Sequence, residues 1–104
     1  MPPKPKRPRN ERREADRALR KEIDARARLA SAAPGGAPSH PLVVASAAVI
    51  EGKARSTPCP QCGGELDLRR HEAASGDDRV VHLVCRLCHT PRALHFRIQA
   101  PLAN

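Results

Sequence analysis

Hydrophobic positions along this chain change their period between its two halves. From Glu11 to about Ala30, the residues Ala15, Leu19, Ile23, Ala27 and Ala30 recur at spacings of three and four, the period of a single helical face. Asn10 is placed to cap that helix. Acid-before-base pairs at i,i+4 (Asp16–Arg20, Glu22–Arg26, Asp24–Arg28) add on the order of 0.3 kcal/mol each. The stripe is thin, with Leu19, Ile23 and Leu29 its sizeable members, so the pattern predicts a charged, solvated helix over 10–32. Further on the period falls to two. Glu65–His71 alternates, and Arg92–Ile98 alternates so that Leu94, Phe96 and Ile98 share a face. Val80–Val84 between them is more continuously apolar and reads as a central strand. Ala74-Ser75-Gly76-Asp77-Asp78 is turn chemistry that joins the first two as a hairpin. The expected core is therefore a three-stranded antiparallel sheet. Leu42–Ile50 fits two patterns: its β-branched ends favour a strand, while its Ala-rich middle and Gly52 suit a short helix. We read 42–53 as a short strand.

Composition adds the segments between these elements. Residues 1–9 (MPPKPKRPR) alternate Pro with Lys and Arg, which blocks a helix and sets like charges against one another, so a basic disordered arm is expected there. Residues 33–41 form a Pro/Gly linker and 99–104 a short C-terminal tail. The whole chain has 104 residues and a single aromatic, Phe96. So small a chain with so few large apolar side chains needs a staple beyond its hydrophobic core.

Charge is uneven. Residues 1–33 carry eleven Lys/Arg against five Asp/Glu, a net of +6 out of the total +8. Arg outnumbers Lys fifteen to four, a bias that a GC-rich coding sequence produces unaided, so the Arg count alone is weak support for a binding role. The longest apolar run, Leu42–Ile50, is less than half of the roughly 20 residues a membrane-spanning helix needs. The basic N-terminus lacks the apolar stretch of a secretory signal, and Glu11, Glu14, Asp16, Glu22 and Asp24 are foreign to a mitochondrial transit peptide. A cytoplasmic, reducing location is expected, where clustered cysteines more often hold metal than form disulfides.

The four cysteines supply the staple. They stand as Cys59-Pro-Gln-Cys62 and Cys85-Arg-Leu-Cys88, separated by 22 residues. Two thiolates three positions apart can both face one ion, because the chain turns tightly and aims backbone N–H groups at the sulfurs. Two such knuckles complete a closed tetrahedral shell for one structural zinc ion. Gly63-Gly64 supplies the positive-φ residue that such a turn wants. Zinc binding worth roughly 10–16 kcal/mol exceeds what this core could contribute, so the metal-free domain should be unfolded.

Four rival readings use the same residues. Cys85-Arg86-Leu87-Cys88-His89 matches a haem c attachment site, but that chemistry needs export and would orphan Cys59 and Cys62. An iron site of the rubredoxin kind would use the same ligands, usually in a tighter apolar shell than this chain offers. Dithiol redox chemistry at Cys59 and Cys62 lacks a βαβ setting, and two disulfides would need an oxidising compartment.

Over about residues 54–98, the CPxCG…CxxC pattern with its strands resembles the zinc ribbon superfamily. That family spans transcription factors, RNA polymerase subunits, ribosomal proteins and many small bacterial proteins. The resemblance implies a small metal-stabilised all-β zinc ribbon, and it carries no activity with it. One departure is His89, where the family commonly has Gly; His can take a left-handed backbone at some cost. Elongation-factor ribbons carry an acidic pair at the hairpin tip, and Asp77-Asp78 sits in a loosely similar place, although Gly-Asp-Asp is also ordinary turn composition.

The pattern contains no nucleophile–base pair at recognisable spacing, no open metal position and no phosphate loop. His71, His82, His89 and His95 are not needed as ligands once four thiolates close the shell. The expected function is therefore non-enzymatic binding. Lys4, Lys6, Arg7 and Arg9 in the arm, with Arg12, Arg13, Arg17 and Arg20 in the helix, could neutralise nucleic-acid phosphates in a salt-sensitive way. The scarcity of aromatics removes the stacking platforms of single-strand recognition. The alternative is a protein-interaction module that docks on a larger assembly through a sheet edge or the helix. Neither a membrane nor a small-molecule substrate is expected as a partner.

Overall fold

The computed structural model describes residues 8–99. Helix α1 runs from Pro8 to Ala32. Its start takes Pro8 and Arg9 out of the expected arm, because proline suits a helix's first turn, where the N–H it lacks would be unpaired anyway. The rest of the arm, with Lys4, Lys6 and Arg7, lies outside the described residues, as do residues 100–104 of the tail. At 25 residues α1 is about 37 Å long. Its thin stripe finds little to pack on: Leu19 and Ile23 stay 56% and 43% exposed. The molecule is accordingly elongated, 79 × 23 × 21 Å.

Residues 33–41 turn the chain back onto the sheet. Gly35 adopts φ +83°, its N–H bonds the His40 carbonyl, and its own carbonyl accepts the His95 N–H at 2.8 Å. Gly36 passes so close to the Ala30 carbonyl that no side chain fits there. The chain then forms strand β1, Leu42–Val44, a 3₁₀ turn at Ala47–Val49 and helix α2, Ile50–Ser56.

The sheet corrects the expected fold class. It has four strands in the order β1-β4-β3-β2 and is mixed, not three-stranded and antiparallel. Strands β2 (Leu66–Ala73), β3 (Asp78–Cys85) and β4 (Pro91–Ile98) form the antiparallel part. β1 adds to β4 in parallel, with Leu42 opposite Phe96 and Val44 opposite Ile98. The Leu-Val-Val segment covers an edge of β4 that would otherwise leave backbone groups open. The expected strand over 42–53 is thus correct only for its first residues. Beyond Ala47 the Ala-rich stretch coils, because Ile50 and Ala54, four apart, can then both bury beside β2.

A bulge between Leu68 and Arg70 breaks the simple alternation of β2. Leu66 and Leu68 pair with Cys85 and Leu83 on the buried face; past the bulge it is His71, opposite Val81, that turns to that face. Arg70 is thereby left outside, and His71 meets Glu51 of α2 at 3.4 Å. The core is one cluster: Val44, Ile50, Ala54, Leu66, Val81, Leu83, Leu94 and Phe96, with Cys59 and Cys85 completing it. Two prospective metal ligands are therefore also core residues.

Candidate metal centre

Each cysteine pair sits in a knuckle at the same end of the sheet. The first, Cys59–Gly64, links α2 to β2. The second, Cys85–Thr90, links β3 to β4. Their backbones share three hydrogen bonds. Gly63 N–H reaches the Cys59 carbonyl at 2.8 Å, as His89 N–H reaches that of Cys85 at 3.1 Å. Cys59 N–H donates to the Gly64 carbonyl at 2.9 Å, and Cys85 N–H to that of Thr90 at 3.0 Å. The amide two residues after the first cysteine points at its sulfur in both, Gln61 to Cys59 and Leu87 to Cys85, each at 3.4 Å. The residue after the second cysteine is left-handed in both, Gly63 at φ +75° and His89 at φ +60°. The sequence, with Gly at one position and His at the other, hides this equivalence.

The knuckles bring all four sulfurs within 4.8 Å of one another. Cys59 and Cys88 lie 3.6 Å apart, and Cys62 and Cys85 3.4 Å. Metal–sulfur bonds of about 2.3 Å in a tetrahedron place neighbouring sulfurs about 3.8 Å apart, so the cage fits one ion with little adjustment. Cys59 and Cys85 are buried, Cys62 and Cys88 exposed, and none forms a disulfide. Among the described residues no second cluster of three or more His, Cys, Asp or Glu ligand groups is found.

Gly64 is needed for clearance rather than for its backbone angle. A Cβ there would stand 3.0–3.2 Å from Leu87 Cδ1, Cys85 Sγ and Cys62 Sγ. The thiols are electrically unequal. The Thr90 hydroxyl, 3.0 Å from Cys88 Sγ, and the Thr90 amide bring the Cys88 thiol down to about 6. The Cys88 amide, with that of Leu87, lowers Cys85. At Cys62 the Gly64 amide pulls downward, but hydrogen bonds with Cys85 and Cys88, together with burial, push it up to about 12. An ion entering the cage near neutral pH therefore finds Cys88 ready as thiolate and must displace the proton of Cys62.

The other residues singled out by sequence lie elsewhere. His71 pairs with Glu51 and His82 with Glu72, each at 3.4 Å. His95 is drawn down by burial and by neighbouring His82 and Arg92. Asp78 bonds Arg97 at 2.8 Å, which holds its carboxyl below the usual range, so it serves as a hairpin brace. Arg86 is engaged by Glu65 and Asp67. On α1, Arg9, Arg13, Arg17 and Arg20 are spaced four, four and three apart and share one exposed face, with Arg12 off to its side.

Sequence reasoning missed Gln61. As a variable position inside CxxC it carries no pattern signal, yet it is the contact between the knuckle and α1. Its side-chain amide donates to the Ile23 carbonyl at 2.9 Å, and Arg26 donates to the Gln61 carbonyl at 2.8 Å.

No family model, curated protein or solved structure matches the chain. The sulfur cage and the surfaces around it carry the functional argument. No helix among the described residues is long and apolar enough to cross a membrane.

Proposed function

We propose that this chain is a non-enzymatic zinc protein of the zinc-ribbon kind, working in the reducing cytoplasm, whose basic helix α1 contacts nucleic acid. The observation that carries the metal part is the cage itself: four sulfurs within 4.8 Å, two of them built into the core. An all-thiolate tetrahedral donor set favours zinc, and its closure leaves no position for substrate. When bound, zinc joins the α2–β2 and β3–β4 connections and so holds the sheet's end together.

The nucleic-acid part is supported by the arginine face of α1, which is exposed along its length. Its affinity would come from phosphate neutralisation and would be independent of base sequence. The test is fluorescence anisotropy of labelled duplex DNA and RNA against zinc-loaded chain at low and physiological salt. Micromolar binding with a steep salt slope, weakened by the triple change Arg13→Ala, Arg17→Ala, Arg20→Ala, supports the reading. No binding at low salt would refute it.

A second reading rests on Leu19 and Ile23, the exposed apolar residues of the same helix. There α1 docks on a protein instead. Salt-insensitive association abolished by Leu19→Ser and Ile23→Ser, and untouched by the arginine changes, would establish it.

A further inference from the structure

The hydrogen bonds that cross from α1 to the rest of the fold lie in its C-terminal half. Ala30 is buried, and its carbonyl accepts from Arg92 at 3.3 Å. Seven residues earlier, the Gln61–Ile23 and Arg26–Gln61 bonds cross from knuckle to helix. α1 packs on no other helix or strand over any length, since none of the principal element-to-element contacts of the fold includes it. Its direction therefore depends on two ties, one at its end and one at Gln61.

Gln61 faces both ways. Its N–H is given to the sulfur of Cys59, 3.4 Å away. Its backbone carbonyl accepts from Arg26 and its side-chain amide donates to the Ile23 carbonyl, both on α1. The Ile23 carbonyl lies inside the helix, where the i+4 amide uses one lone pair and Gln61 takes the second. The placing of Gln61 thus depends on the conformation of the Cys59–Cys62 turn, and that turn is held by its two sulfurs converging on one point. Each hydrogen bond is worth only about 1 kcal/mol net, too little to hold a 25-residue solvated helix if the turn itself wanders.

We infer that Gln61 is a positioning residue that couples the metal cage to the basic helix: the turn that a filled cage sets is the turn from which Gln61 fixes α1 against the sheet. This deepens the proposed function, on whose metal reading it rests, by making the direction in which the arginine face points depend on metal. Gln61 is no ligand, so removing its side chain should break the Ile23 tie, leave Arg26 on the backbone carbonyl, loosen the helix and spare the metal.

The experiment uses the full ¹⁵N-labelled chain. Backbone residual dipolar couplings and heteronuclear NOEs are measured for α1 and the sheet, with zinc affinity determined by chelator competition. For the zinc-loaded wild type, α1 and the sheet should fit one alignment tensor. With zinc bound, Gln61→Ala should leave the sheet couplings unchanged and zinc affinity within about threefold, while the α1 couplings fall to about half. Gln61→Glu cannot donate to the Ile23 carbonyl and should behave like Gln61→Ala. Gln61→Lys keeps a donor with sufficient reach and should restore the common tensor. Zinc uptake with α1 alignment unmoved by Gln61→Ala, or identical behaviour of the three variants, overturns the coupling alone. Failure of the wild type to take up zinc overturns the metal reading and the coupling with it.

Discussion

After its second cysteine the first knuckle has Gly63 and Gly64, whereas the second has His89 and Thr90. Three backbone bonds are the same, as is the left-handed residue that follows the second cysteine. What differs is the surroundings. Behind Gly64 lie two sulfurs of the cage and Leu87, so a side chain there would have to push them back by a few tenths of an ångström. Thr90, its counterpart, has room for a hydroxyl and turns it onto the Cys88 sulfur. The first knuckle also carries helix α1 through Gln61; the second has Leu87, 73% exposed, at the matching position. One backbone solution thus serves two purposes: one knuckle spends its variable positions on holding a helix, the other on tuning a thiol.

The largest test concerns what the knuckles share. Cys85→Ser removes a sulfur of the candidate cage that is also 1% exposed in the core. Structural zinc is worth roughly 10–16 kcal/mol, more than a domain of this size can spare. The expected outcome is loss of sheet signal in far-UV circular dichroism together with loss of stoichiometric zinc. A variant that kept both would contradict the site. The next largest effect separates the knuckles. Gly64→Ala puts a methyl group within 3.0–3.2 Å of two sulfurs and Leu87, so the cage must expand. A loss of about 2 kcal/mol in denaturant stability is expected, with zinc affinity down by at least about tenfold.

These two positions also mark how far sequence reading reached. The cysteine spacing, the period-two alternation of β2 and β4 and the continuous apolar run of β3 are local signals, visible because adjacent residues report on one another. Gly64 was singled out too, but for backbone freedom; clearance from a sulfur 21 residues away has no local signature. The parallel pairing of β1 with β4 joins residues some 54 apart, and Leu-Val-Val does not encode which edge it will cover. Nor did the β-branched ends of Leu42–Ile50 reveal that coiling from Ala47 lets Ile50 and Ala54 bury together. The bulge at Arg69 was invisible for the same reason: it is decided by what His71 and Arg70 meet across the sheet.

Backbone strain offers a pair of changes with opposite signs. Gly63→Ala forces a Cβ into φ +75° and should destabilise by about 1 kcal/mol. His89→Gly relieves the same strain at φ +60°, offset in part by the greater freedom of the unfolded chain, and should stabilise by about 0.5 kcal/mol. Urea titrations of the two zinc-loaded variants against wild type decide the matter. Equal signs would mean that the knuckles are not equivalent in backbone demand.

The smallest effect probes the tuned thiol and depends on pH. Thr90→Val keeps the shape and removes the hydroxyl that is the main cause of the Cys88 thiol lying near 6 instead of its ordinary 9.0. In wild type, with its thiol brought down to about 6, Cys88 is mostly thiolate at pH 7 and gives up less proton to an incoming ion. In the variant its titration moves back up, so at pH 7 the metal must displace a proton there as well as from Cys62. The sign follows: zinc affinity of Thr90→Val should fall below wild type at pH 7, and the gap should narrow as pH rises towards 9 and both proteins present the thiolate. The matching change at the other knuckle cannot be made, because Gly64 has no side chain to remove. Chelator competition at a series of pH values measures the gap directly. A gap that stays constant across the series would assign Thr90 to packing and leave the inequality of the thiols without its cause.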